Sequence, residues 1–480
     1  MKKTNYYLLV LSLFMVSITF GQNCNCPEDF KWLKKTFEEN DAGYQYVIDQ
    51  KGINAYKNHS KEYLKKATSI NDVNKCADLM NKWTEFFRSG HISIGIKNNN
   101  SNVPTKNSTI EWDKAEVNHK KFLRYLKNKS DAGFEGIWQL GDYKVGIKKE
   151  NKNYIGFIIE AKNKNWKKNF IKFIINEKQE NEYDSDYYMG NFSKIVINDV
   201  KLLDDNTLKL GSWYLNRLNS KFTSNIDVVQ FLKLGNARKP LLERLNNNTL
   251  ILRIPTFNYS EKKHIDSLIL ANKAQILNTK NLIIDIRNNG GGSDVSYREI
   301  IPLLYTNPIR VIGVEYLSTK LNNQRMQKFI DGKDYSDNSK KWAKESLVKL
   351  NANIGKFVNL RSSNSIYSVR KLDTVHAYPK NVGILINNGN GSTSEQFLLA
   401  AKQSKKVKLF GTTTYGVLDI SNMHILDFPS NQFTLGYSLS KSMRIPDMTI
   451  DSKGIQPDYY IDKSIPDYKW INFVSTILDE

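Results

Sequence analysis

The stretch NLIIDIRNNGGGSD, residues 281–294, decides how the rest of the chain is read. It begins as an almost wholly aliphatic run, the mark of a strand buried on both faces. It then breaks into two asparagines and three glycines. A glycine has no Cβ to obstruct the backbone, so N–H groups in such a turn are able to point inward. Inward-facing amides receive the negative charge of an oxyanion in acyl transfer. The same residues also suit a plain tight turn before a helix capped by Ser293 or Asp294.

Outward from this stretch, strand and helix alternate from about residue 245. TLILRIP (249–255), VGILINN (382–388) and VKLFGT (407–412) read as strands, and EKKHIDSLILANKAQIL (261–277) reads as a helix. Alternation of this kind argues for a layered α/β core. Residues 310–375 interrupt it with a polar, helical-looking insertion. The second informative stretch is VGILINNGNGSTSEQFLLAAKQ, 382–403. Here a strand passes into a helix at Ser392, where the positive end of the helix dipole favours an alkoxide. Ser392 with Glu395 three residues on also reads as a capping box, and Ser394 is a competing hydroxyl inside the first turn.

The N-terminal half has two textures. Residues 27–90 carry apolar residues at three- and four-residue steps, as in FKWLKKTFEEN and NKCADLMNKWTEFF, which predicts helices. Residues 133–235 change to a period of two, in segments such as YIGFIIEAK and SKIVINDV, which predicts an antiparallel sheet or small barrel. Between them lies the polar run NNNSNVPTKNST, 98–109. The first residues read as an export signal: Lys2 and Lys3, the uncharged apolar run Tyr6–Phe20, and Gly21 before a cleavage point. A retained anchor is the alternative. No second long apolar stretch exists, so no integral membrane span is expected after removal, and the location is periplasmic, cell-surface or extracellular. The expected division is a signal peptide at 1–21, a helical region at 22–109, a β-rich domain at 110–240 and a core at 241–480.

The 480 residues carry a net charge of +21, from 70 basic and 49 acidic side chains. The lysines are spread along the chain without a zinc-finger or aromatic-basic motif, so no nucleic-acid partner is expected. Of the three cysteines, Cys24, Cys26 and Cys76, one bridge from Cys24 or Cys26 to Cys76 is expected, with one thiol left over. The C-N-C spacing does not fit a zinc knuckle, and neither a metal nor a cofactor is expected.

Four segments occur in a telling order: RNNGGG after an aliphatic strand, GNGSTSE opening a helix, GTTTYG at 411–416 and KGIQPD at 453–458. Together they resemble the tail-specific (C-terminal-processing) serine peptidases, and TLILRIPTF (249–257) resembles the strand that opens their core. The resemblance covers residues 245–462, about half the chain. It implies an α+β multidomain protein: a helical N-terminal region, an antiparallel β domain, and a C-terminal crotonase-like α/β (ββα) peptidase core. It also implies a protein or peptide substrate. In the family the nucleophile falls on Ser392, and the oxyanion hole on amides near Gly290 and Gly291 and on Thr393. Many members carry a lysine after GTTTYG, but Val417 stands there in this chain. The tricorn-like branch uses a histidine ahead of the core and an acid near its end. By resemblance these are His91, in FFRSGHISIGI, and Asp451, in IDSKGIQPD, which is one methylene shorter than the usual glutamate. His424 and Asp419 are the rival base and acid. An inactive relative that binds peptides without turnover is the competing functional reading. No carboxylate-binding loop of PDZ type is evident between 100 and 245.

Overall fold

The computed structural model describes residues 24–97, 111–333, 335–361, 363 and 365–480. The expected signal segment and the polar run 98–109 lie outside the described residues.

The core is a six-stranded sheet in the order Leu241–Arg244, Thr249–Arg253, Asn281–Asp285, Asn381–Ile386, Val407–Gly411, Tyr459–Tyr460. All its pairings are parallel except the first, which is antiparallel. Every residue of Thr249–Arg253 and Asn281–Asp285 is buried. Alternate side chains therefore serve two separate cores, as the twofold strand period requires. Leu250, Leu252, Leu282 and Ile284 pack with Ile265, Ile269, Phe397 and Leu398 of the helices on one face. Ile251, Ile283 and Leu385 pack with Leu234, Trp470 and Val474 on the other. The helix expected over 261–277 is present in two pieces, Lys262–Ala271 and Lys273–Ile276.

Residues 136–217 form a nine-stranded antiparallel sheet around its own core of Trp138, Phe173, Ile175 and Leu208. Helices Cys26–Asn40, Tyr44–Lys51, Ile53–Ala67 and Val73–Thr84 make up the N-terminal region, with a disulfide between Cys26 and Cys76 and Cys24 free. Their apolar faces pack on the C-terminal half: Phe30, Phe37, Trp83 and Phe87 share one cluster with Phe433, Leu435, Tyr437 and Leu439. The short strand Ser93–Ile96 completes the join by pairing antiparallel with Phe433–Ser442, Ile94 opposite Leu435. That pairing carries residue 91 to the edge of the α/β core.

The insertion holds the helices Lys320–Asp331 and Asp337–Asn351, as its polar pattern predicts. It also holds short strands the pattern did not reveal. Ile309–Ile312 pairs with Tyr367–Arg370, and Val314–Leu317 pairs with both Phe357–Asn359 and Phe433–Ser442. Strands of three or four residues are too short to show a period.

At the carboxyl end of Asn281–Asp285, one buried carboxylate fixes the turn that follows. Asp285 accepts from Arg287 Nε at 2.9 Å, Arg287 Nη2 at 2.8 Å and the Arg287 amide at 3.1 Å. Arg253 Nη1 donates to the Arg287 carbonyl at 2.8 Å and lies 3.4 Å from Asp285 Oδ1. Removing one member of a buried charge cluster leaves the others uncompensated. Asp285→Ala is accordingly expected to lower unfolding free energy by about 3–5 kcal/mol, read from the urea midpoint. A loss under 1 kcal/mol would mean that the two arginines are hydrated rather than held.

Candidate active site

Two turns meet at the carboxyl ends of the central strands. Asn390 ties them together: its Nδ2 donates to the carbonyls of Ile286 and Asn289, and its Oδ1 accepts the Asn387 amide at 2.7 Å. Ser394, the competing hydroxyl, is spent here, donating to the Asn289 carbonyl at 2.7 Å. Ser392 then sits at the start of the helix Thr393–Ala401 with φ 54° and ψ −122°. A non-glycine residue in that region is strained by about 1–3 kcal/mol. The strain is held by the Ser392 amide, which donates to the Val417 carbonyl at 3.0 Å. No capping bond is made by the Ser392 side chain. The capping-box alternative also fails at Glu395, which turns away to accept from the amides of Gly416 and Val417 and from the Thr414 hydroxyl, at 2.8, 2.9 and 2.6 Å.

His91 meets this serine. Its Nε2 lies 3.1 Å from Ser392 Oγ, and its Nδ1 lies 2.7 Å from the Ile420 carbonyl oxygen. A carbonyl oxygen only accepts, so Nδ1 carries the proton and Nε2 is left to accept from the hydroxyl. Burial pulls the imidazole below its ordinary value of 6.5, with the Arg88 charge acting in the same direction, against the raising effect of the Ile420 bond and Asp41. Neutral imidazole is therefore the resting form. His91 also has a positive φ, 55°. Its backbone is held from below by Arg88, whose Nη2 donates to the His91 carbonyl at 3.2 Å and whose Nε donates to the Gly90 carbonyl at 3.1 Å. Arg88 is in turn clamped bidentately by the buried Asp41 at 2.8 and 2.6 Å.

Asp451 does not take the place expected of it. Its Oδ1 accepts the amides of Leu418 and Asp419, both at 2.6 Å, and its Oδ2 accepts the Ile420 amide at 3.2 Å. The contact with the imidazole is thus replaced by one through the backbone: carboxylate to strand amides, Ile420 carbonyl to ring. The shorter side chain fits this arrangement. Neither rival reaches the serine by a hydrogen bond. Asp419 is locked to Arg444 Nε at 2.9 Å. His424 is buried against Tyr437, and burial drops its pKa to about 4. Val417, in the slot where the family often has lysine, is packed between the two loops. A Cβ on Gly90 would lie 2.4 Å from its Cγ1, and one on Gly391 would lie 2.7 Å from its Cγ2.

The expected amides divide. Thr393 lines the serine cleft, and its N–H has no hydrogen bond among the described residues. The Gly291 N–H is taken by Asn289 Oδ1 at 3.0 Å, which corrects its expected role as a donor. Gly291 matters for space instead. At φ 107°, a Cβ there would stand 2.8 Å from Thr393 N and 2.9 Å from Ser392 Cβ. Gly290 does not line the cleft, whereas Gly292 does, with an N–H unpaired among the described residues. Sequence reasoning missed Gly292, because which of three glycines faces inward depends on the asparagine turn before them. The cleft measures about 1270 Å³ and is walled on its far side by the insertion.

Residues 248–461 match the sequence model of peptidase family S41. That segment belongs to family S41. The S41 segment makes the chain a serine-type peptidase, a hydrolase. Among solved structures, mature CPAF complexed with lactacystin is similar over 95% of this chain and 97% of that one, at 11% identity and TM-score 0.52. A point mutant of CPAF is similar over 95% and 96%, at 12% identity and TM-score 0.50. Likeness at these identities is one of fold. No curated protein matches the chain.

The close approach at Gly291 is directly testable. Gly291→Ala is expected to push the Thr393 amide out of place and lower kcat on the order of 10²-fold, with far-UV circular dichroism retained. Full activity in this variant would show that the spacing of these loops is slack.

Proposed function

We propose that the chain is an exported serine endopeptidase that cleaves peptide bonds through an acyl-enzyme on Ser392, with His91 as base. The observation that carries this reading is the 3.1 Å approach of His91 Nε2 to Ser392 Oγ, with the opposite ring nitrogen fixed on a carbonyl. A serine hydroxyl is a weak nucleophile until an adjacent base takes its proton. Nε2 accepts that proton as Oγ attacks the scissile carbonyl carbon. The resulting oxyanion is received by the Thr393 and Gly292 amides. The imidazolium then protonates the leaving amine, and water, deprotonated by the same nitrogen, releases the acyl group. Asp451 is a positioning residue: it touches no reacting atom but sets the Ile420 peptide that orients the ring. Export is supported by the charged and apolar N-terminal pattern and by the Cys26–Cys76 bridge, which suits an oxidising compartment.

The test is a serine-reactive fluorophosphonate probe. The wild-type chain is expected to label and Ser392→Ala to lose the label completely. A wild type that stays unlabelled under conditions where it is folded would favour a peptide-binding protein without turnover. His91→Ala is expected to slow labelling by about 10²–10⁴-fold, the usual contribution of a general base.

The pH dependence follows from the direction of the His91 shift. The neutral ring is the working form, so activity rises with pH as the imidazole loses its proton. Because that loss occurs below 6.5, the acid limb of kcat/KM is expected to have its midpoint below 6.5. A midpoint above 7 would mean that a carboxylate, not a carbonyl, faces the ring.

A further inference from the structure

The cleft that holds Ser392 is cationic, and two of its positive groups pair with no carboxylate among the described residues. It is lined by Arg325, Lys349, Arg361 and Arg444 against Asp294 and Glu345. Arg444 is neutralised behind the wall by Asp419. Lys349 is occupied by two carbonyls, those of Asn359 and Arg361. The two remaining guanidinium groups are different. Arg325 donates through Nη1 to the Asn422 carbonyl at 3.0 Å, and Arg361 through Nη2 to the Val311 carbonyl at 3.1 Å. Neither forms an ion pair with a carboxylate among the described residues. Among the described residues, Arg361 Nη1 is buried without a hydrogen-bond partner.

A guanidinium has five N–H donors, so one carbonyl each leaves most of that capacity unused. Burying a charge without an opposite one is costly, and burial pulls both arginines below the ordinary guanidinium value. A purely bracing role would be served by a neutral donor of similar length at lower cost. The position of Arg325 is also informative. It grips the carbonyl of Asn422, two residues along the strand Ile420–Asp427 from the carbonyl that holds His91. Arg325 and Arg361 both line the cleft that opens on Ser392, so the two side chains border the place where a substrate chain must lie.

We propose that Arg325 and Arg361 read a carboxylate on the substrate, so that the peptidase prefers chains with a Glu or Asp side chain close to the bond it cleaves. This rests on the hydrolase reading of Ser392 given above. Arginine suits the task because its planar fork pairs bidentately with a carboxylate, and a site built for such a pair discriminates strongly against the uncharged isostere.

The experiment uses the mature full-length chain and pairs of fluorogenic peptides that differ only as Glu or Gln at each position flanking the scissile bond. Every peptide is made with a free and with an amidated C-terminus. At one or more positions the wild type is expected to favour Glu in kcat/KM by about tenfold or more. The Glu/Gln ratio is expected to fall towards one in Arg325→Gln, in Arg361→Gln, or in the double variant. Since the ratio is taken within each variant, a general loss of activity cancels. Equal cleavage of Glu and Gln peptides by the wild type overturns the proposal, as does a Glu preference that survives in the double variant. A preference only for the free C-terminus also overturns it, because the carboxylate read would then be the terminal one. Fluorophosphonate labelling separates the two layers. A wild type that labels but ignores the Glu/Gln difference sinks the specificity proposal alone, whereas one that neither labels nor cleaves removes both.

Discussion

One carbonyl oxygen, that of Ile420, decides which nitrogen of His91 carries a proton, and the arrangement around Ser392 depends on that choice. The ring has two distinct nitrogens, and the hydrogen bond made by one decides which of them is protonated. Only when Nδ1 is committed to an acceptor does Nε2 present a lone pair to the serine hydroxyl. The 2.7 Å contact with Ile420 makes that commitment with a neutral partner. A carboxylate in that position would stabilise imidazolium and raise the pKa. A carbonyl orients the ring while leaving burial free to lower it, as the direction of the His91 shift shows.

Such a carbonyl is useful only if the strand carrying it cannot shift. Asp451 supplies that constraint by accepting three consecutive amides, those of Leu418, Asp419 and Ile420. From the other side, Asp41 and Arg88 fix the loop that carries His91 in its left-handed conformation. Serine and histidine thus come from opposite ends of the chain, each held in a strained backbone by buried polar groups. The strand pairing of Ser93–Ile96 with Phe433–Ser442 and the shared aromatic core beneath it bring those ends together. A weakening of that core acts on the His91 to Ser392 distance without touching either residue.

Much of this was legible in the sequence where the signal was local. The aliphatic runs at 281–286 and 382–386 gave the parallel strands, because burial on both faces removes the alternation seen in half-exposed strands. The serine at the strand-to-helix junction was visible for the same reason. The expectation for His91 came from the motif around it and not from any period. What stayed hidden was non-local or lay in the backbone. Ile420 acts through its carbonyl, and no residue type marks a useful carbonyl. Asp451 was expected at the ring, whereas its hydrogen-bond partners are the amides of Leu418, Asp419 and Ile420. Gly292 was overlooked in favour of Gly290 and Gly291 since only the Asn289 side chain, by taking the Gly291 amide, shows which amide is left over. The pairing of HISIGIK with a strand near the C-terminus is a long-range event that its own alternation does not announce.

The protonation of one ring is the decisive quantity, and nitrogen-15 NMR of histidine-labelled protein reads it directly. At neutral pH the His91 signal is expected to be that of the tautomer protonated at Nδ1, with an unprotonated Nε2 whose shift moves when Ser392 is replaced by alanine. A ring protonated at Nε2, or one carrying both protons at pH 7, would contradict it.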